Sequence, residues 1–267
     1  MEQKTDDYRN PNKKVPNPLQ NPYFKKYLGF SMVAIFVILA FIFFVWAAGG
    51  KQGNIPDEID FIQLETPEDS APVVVYETNI GTVKAVLYPE EVPQYYTYFR
   101  DLVESGYYDG TYVCAVVDGA YALGGTKSPS PEAEAGEDSD MTQIKAEISD
   151  DLWPLKGSIC SFIGSSLGKS YAGSSMIFIN DVTEVNEAYM DEEALKRAYG
   201  DELGGVFSEK GGIPNFSRKY TIFAQIYDGW DVFEKIMSAE TLSTSQPSED
   251  IIFEKVYIST YGEEKPE

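Results

Sequence analysis

Histidine is absent from all 267 residues. That one absence removes Ser-His and Cys-His nucleophile pairs, His-ligated zinc and the imidazole proton shuttle that works near neutral pH. Cysteine occurs only at Cys114 and Cys160, too few for a four-cysteine metal site. No G-x-x-x-x-G-K-[ST] or G-x-G-x-x-G loop is present to cradle a phosphate. Basic residues are scarce as well, 21 Lys and Arg against 43 Asp and Glu, for a net charge of -22. A surface of that sign repels phosphate backbones, so nucleic acid is excluded as a partner. Cofactors and metals have no visible foothold. The acidic clusters at 132–140 and 187–193 do not follow the D-x-[DN]-x-[DN]-G calcium loop and read as solvated surface.

One long run of residues lacks charge altogether. Residues 28–48, rich in Phe, Ile and Val, would span about 31 Å as a helix, enough to cross a bilayer. The alternative is a cleaved signal peptide, whose apolar region is shorter (~7 to 15 residues) and ends in a small-residue cleavage site, for which Ala47 and Ala48 are a weak match. Length favours an uncleaved anchor. Lys4, Arg9, Lys13, Lys14, Lys25 and Lys26 outnumber Glu2, Asp6 and Asp7 before the span, and nearly all the acid follows it. The positive-inside bias then leaves the N-terminus in the cytoplasm and the acidic remainder outside the cytoplasm.

Composition divides the rest. Residues 1–27, with Pro11, Pro16, Pro18 and Pro22, read as a disordered cytoplasmic tail, and 49–72 as a spacer between membrane and domain. From Val73 to about residue 262, short β-branched and aromatic runs recur at 73–77, 82–88, 112–117, 158–163, 176–179, 220–226 and 251–259, with 263–267 as a short tail. Helical spacing appears at 92–104 (Tyr95, Phe99, Leu102, Val103) and 230–239 (Val232, Phe233, Ile236, Met237). Many strands with two helices predict a mostly β protein, a small barrel capped at its ends. Residues 126–142 read as a mobile loop. Residues 181–217 read as a surface insertion with a helical patch at 191–199, broken by Gly204, Gly205, Gly211 and Gly212. Cys114 and Cys160 fall on strands where a disulfide is permitted, although two buried thiols are favoured because nothing places their Cα atoms within ~7 Å.

Several segments occur in a telling order: Glu77-Thr78-Asn79-Ile80-Gly81-Thr82-Val83, Pro89-Glu90-Glu91-Val92-Pro93, Gly106-Tyr107-Tyr108-Asp109-Gly110-Thr111, Gly124-Gly125, Lys156-Gly157-Ser158 and Ser174-Ser175-Met176-Ile177-Phe178-Ile179. Together they resemble the cyclophilin family of peptidyl-prolyl isomerases, over roughly the last 190 residues. Lys210-Gly211-Gly212-Ile213-Pro214 is similar to membrane-anchored bacterial members. The resemblance implies an eight-stranded antiparallel barrel capped by two helices. It also implies a groove that grips proline and an arginine that eases the twist of the X-Pro amide, whose barrier is ~18 to 20 kcal/mol.

Carried across residue by residue, the family's His-Arg pair falls on Cys114 and Ala115, its pocket Phe on Ala120 and its first groove Gln on Leu123. The second groove Gln falls on Met176, the next pocket aromatic on Phe178, the Met-Ala pair on Ser161 and Phe162, the Trp-Leu pair on Asn215 and Phe216, and the pocket His on Tyr220. Phe178 alone is unchanged among the most heavily weighted positions, Phe162 is expected to fill part of the proline slot, and Tyr121 to serve as a wall. No Arg or Lys lies between Tyr107 and Gly125. Tyr220 and Arg218 are the candidate substitute donors. The resemblance therefore implies a binder of proline-containing peptides or secreted client proteins with little or no isomerase activity. Two alternatives remain: an active foldase using Tyr220 or Arg218, and a structural role through the insertion.

Overall fold

The β-branched and aromatic runs become strands. The computed structural model describes residues 55–117, 120–131, 144–166, 169–182 and 191–266. Nine strands lie among them: β1 (Pro72–Thr78), β2 (Gly81–Leu87), β3 (Thr111–Val117), β4 (Tyr121–Thr126), β5 (Ile144–Lys145), β6 (Ser158–Ser166), β7 (Lys169–Ile179), β8 (Ile222–Asp228) and β9 (Ile251–Thr260). Eight form an antiparallel barrel in the order β4-β3-β9-β1-β2-β8-β6-β7, closed by pairing of β4 with β7. The two-residue β5 pairs with β7 at its side. Closure removes the free edges that would otherwise template aggregation.

Inward positions carry the rings. Tyr76 of β1 packs against Phe178 of β7 and Phe253 of β9, at 5.6 and 5.3 Å between centroids. Its hydroxyl donates to the Met176 sulfur at 3.4 Å. Helix α1 (Pro93–Glu104) places Tyr95, Phe99 and Val103, one per turn, on the core, with Phe99 4.8 Å from Phe223. Proline opens this helix, but its N-cap Val92 has no side chain able to cap it. Glu147, beyond β5, does so instead. Its carboxylate accepts the Gln94 and Tyr95 backbone N–H groups, and its own N–H donates to the Thr221 hydroxyl. A second helix, Trp230–Met237, buries Val232, Phe233, Ile236 and Met237.

The insertion contains two helices, α2 (Glu192–Tyr199) and α3 (Asp201–Lys210), so Trp230–Met237 is α4. Asp191 caps α2 by accepting the Ala194 N–H at 2.7 Å. Gly204 and Gly205 do not break the second helix. A Cβ at Gly204 would lie 2.5 Å from the Lys196 backbone, so glycine there is what lets α2 and α3 cross closely.

These helices bury Leu195, Tyr199, Leu203 and Phe207 against Trp153, Leu155 and Ile59, forming a second, smaller core. Ile55 and Phe61 pack onto it. The stretch expected to be a spacer is therefore part of the folded unit from residue 55 onward, and a 3-10 turn (Ile62–Leu64) delivers Gln63 to the interior. There the Gln63 amide grips both backbone groups of Trp153, accepting its N–H at 2.6 Å and donating to its carbonyl at 3.0 Å. It also contacts the Gln225 side-chain oxygen at 2.9 Å. Sparse apolar residues among acidic ones concealed this strap in the sequence.

Both cysteines are buried. The expected tail, the span at 28–48 and most of the loop at 126–142 lie outside the described residues. No helix among the described residues is long and apolar enough to cross a membrane.

Candidate functional site: the outer face of β3, β4, β7 and β6

Pairing registers align one row of outward positions across four strands. Ala115 stands opposite Leu123, Leu123 opposite Ile177, and Ile177 opposite Cys160. Every member of that row is apolar or a thiol. The neighbouring outward row runs from Val117 through Tyr121 to Ile179. The inward rows contain Val116, Ala122, Phe178 and Ile159, then Gly124, Met176 and Ser161.

Met176 and Phe178 thus belong to the barrel interior, not to the groove that the sequence comparison gave them. Side chains alternate with a period of two, so moving the register by one residue exchanges the faces. Ser175 and Ile177 take the outer positions. The run Met176, Ile177, Phe178, Ile179 is apolar and buried on both faces, leaving no alternation from which to read its register.

Three rings rise over the row. Phe216, at the end of a 3-10 turn (Pro214–Phe216), lies 5.9 Å from Tyr121 and 4.6 Å from Tyr220. Tyr220 reaches toward Cys160, whose strand neighbour Ile222 lies two residues beyond it. Burial pushes both the Tyr220 hydroxyl and the Cys160 thiol well above their ordinary ranges, so both are neutral at physiological pH. Ala120 and Leu123 are half-buried beside these rings. Phe162, two residues beyond Cys160 on β6, is 46% exposed, while Ser161 turns inward to bond Gly173.

Cations are directed elsewhere. Strands β3, β4 and β6 contain no basic residue. The Arg218 guanidinium donates to Asp150 at 2.5 Å. The Lys219 ammonium is held below the usual lysine range by partial burial. The Tyr220 hydroxyl has no hydrogen-bond partner among the described residues. What this face offers a ligand is an apolar floor, an aromatic wall and neutral phenolic donors.

The family profile described as cyclophilin type peptidyl-prolyl cis-trans isomerase/CLD matches residues 73–258. The chain belongs to the cyclophilin family. Among its relatives is a putative peptidyl-prolyl cis-trans isomerase of Staphylococcus epidermidis, 26% identical over 71% of this chain and 92% of that protein. A putative bifunctional phosphatase/peptidyl-prolyl cis-trans isomerase of Streptococcus pyogenes is 26% identical over 77% of this chain, which spans 43% of that longer protein. A crystal structure of a Cryptosporidium parvum cyclophilin-type isomerase shares the fold, with a TM-score of 0.53 at 19% identity over 71% of this chain and 98% of that one. Another structure of that protein, obtained in the presence of the dipeptide Ala-Pro, matches with a TM-score of 0.52 at 18% identity, covering 70% and 99% of the two chains. This cyclophilin keeps the barrel.

Proposed function

We propose that this cyclophilin domain binds proline-containing peptide segments or secreted clients on the β3, β4, β7 and β6 face, with weak or no isomerase activity. The observation that carries the reading is the row Ala115, Leu123, Ile177 and Cys160, which lacks a cation or amide donor. Twisting an X-Pro amide is eased by a donor directed at the prolyl nitrogen, and loss of one such electrostatic group typically lowers the rate by ~10² to 10³. An apolar floor with aromatic walls still suits a proline ring. In support, the related Cryptosporidium parvum protein was crystallised in the presence of Ala-Pro.

The domain is held at the membrane by residues 28–48, with the N-terminus cytoplasmic and the barrel outside the cytoplasm. The uncharged span and the lysines before it support this placement.

A second reading, an isomerase that uses Tyr220 as its donor, is favoured by the unpartnered, neutral Tyr220 hydroxyl at the wall. Titrating the protein with an Ala-Pro peptide while following cis-trans exchange by NMR separates the two. Shifts at Tyr121, Phe216 and Tyr220 without accelerated exchange fit the binder. Accelerated exchange that disappears in Tyr220→Phe fits the isomerase, and no shift at any peptide concentration rejects both.

A further inference from the structure

The wall of the groove turns on one strained residue. The Lys219 N–H donates to the Phe216 carbonyl at 3.1 Å, Ser217 sits at φ -49° and ψ 129°, and Arg218 at φ 59°. Phe216, Ser217, Arg218 and Lys219 therefore form a type II turn, whose third position demands a left-handed backbone and ordinarily takes glycine. Glycine would make this turn without strain, so backbone geometry gives no reason for an arginine here.

The side chain supplies one. Its Nη1 bonds Asp150 at 2.5 Å, and the Asp150 carbonyl accepts the Trp153 indole N–H at 3.1 Å. Trp153 is in turn buried in the second core and gripped by Gln63. The turn is thereby tied to a residue that packs against both the strap and the insertion. Phe216 opens the turn and Tyr220 follows it, and their rings meet at a tilt with centroids 4.6 Å apart.

We infer that Arg218 is a positioning residue for the groove: tethered through Asp150, it holds Phe216 against Tyr220 and so sets the wall that a proline ring meets. Arg218 thereby acts on the protein's own rim and not on the peptide. The affinity part of this inference rests on the proline-binding reading above, whereas the ring contact does not.

The test uses the full chain in detergent micelles with isotopically labelled Phe and Tyr rings, comparing Arg218→Gly, Asp150→Asn, their double variant and Arg218→Lys. The inference requires that Arg218→Gly and Asp150→Asn each weaken the Phe216 to Tyr220 ring contact in the free protein while the melting temperature is maintained. Affinity for an Ala-Pro peptide then falls by ~5-fold or more, the double variant is no worse than either single, and Arg218→Lys restores part of the loss. An unchanged ring contact in both single variants overturns it. If the unaltered protein binds no Ala-Pro peptide, the binding reading falls, and the ring contact alone decides the positioning role.

Discussion

Ala115 and Leu123 face each other across the β3 to β4 ladder, a methyl opposite an isobutyl group on the outer face of the barrel. The sequence resemblance places the family's arginine and first groove glutamine at these positions, and on the proposed reading the groove keeps a surface for a ring while lacking the donors that polarise an amide.

Restoring the pair is the direct consequence to test. Ala115→Arg combined with Leu123→Gln is expected to raise prolyl isomerisation at least ~10-fold above the unaltered chain, since one well-directed donor is worth ~10² to 10³ when ideally placed. Exchange NMR on a proline peptide measures it. Leu123→Gln alone supplies an amide but no cation and is expected to give a small part of the gain.

The strap makes a stability prediction that a loose spacer would not. Gln63→Leu leaves the buried Trp153 N–H without its acceptor, while the Trp153 carbonyl keeps the Ser158 hydroxyl and the Leu155 N–H, and the expected loss is about 1–3 kcal/mol. Chemical denaturation reads the loss, and limited proteolysis is expected to open first within residues 55–65. A spacer merely resting on the surface would show neither effect.

Helix α1 depends on a carboxylate supplied from 52 residues away in sequence. Glu147→Ala removes the acceptor for the Gln94 and Tyr95 N–H groups. It is expected to cost about 1–2 kcal/mol, as for loss of a helix cap and its favourable charge. Because the Glu147 N–H also bonds Thr221, the same variant is expected to disturb the amide resonances of Thr221 and Tyr220. Substituting Glu90, exposed just before α1, serves as the comparison.

Alkali tests the core. Tyr76, Tyr95 and Tyr108 are buried, and desolvation raises each hydroxyl above its usual range near 10. The folded state therefore holds these protons more tightly than the unfolded chain. The stabilisation is complete below the unfolded value and is lost as pH rises above it toward the raised folded values. Unfolding followed by circular dichroism is expected to coincide with the last part of the tyrosinate absorbance to appear as pH rises above about 10. Core tyrosines ionising while the fold persists would contradict the packing.

Much of this was legible in the sequence, for identifiable physical reasons. The β-branched and aromatic runs at 73–77 and 82–88 follow from strand propensity, helical spacing at Tyr95, Phe99 and Val103 follows from one-sided burial, and each matches an observed element. Ala115, Leu123, Phe216 and Tyr220 do assemble on one face. The register of β7 was not legible, because Met176 through Ile179 are apolar on both faces, and the interior claimed Phe178 where the groove was expected to. Gln63 is a single polar residue whose role depends on partners about 90 and 162 positions away, a separation no local pattern encodes. Gly204 read as a helix breaker because its reason for being small, the Lys196 backbone, belongs to another helix.

The rate of cis-trans exchange in a proline peptide, with and without the protein at saturating concentration, tests the central claim most directly. The account predicts chemical-shift changes at Tyr121, Phe216 and Tyr220 on binding, with exchange close to the uncatalysed rate. Exchange as fast as that driven by arginine-bearing members of the family would contradict it.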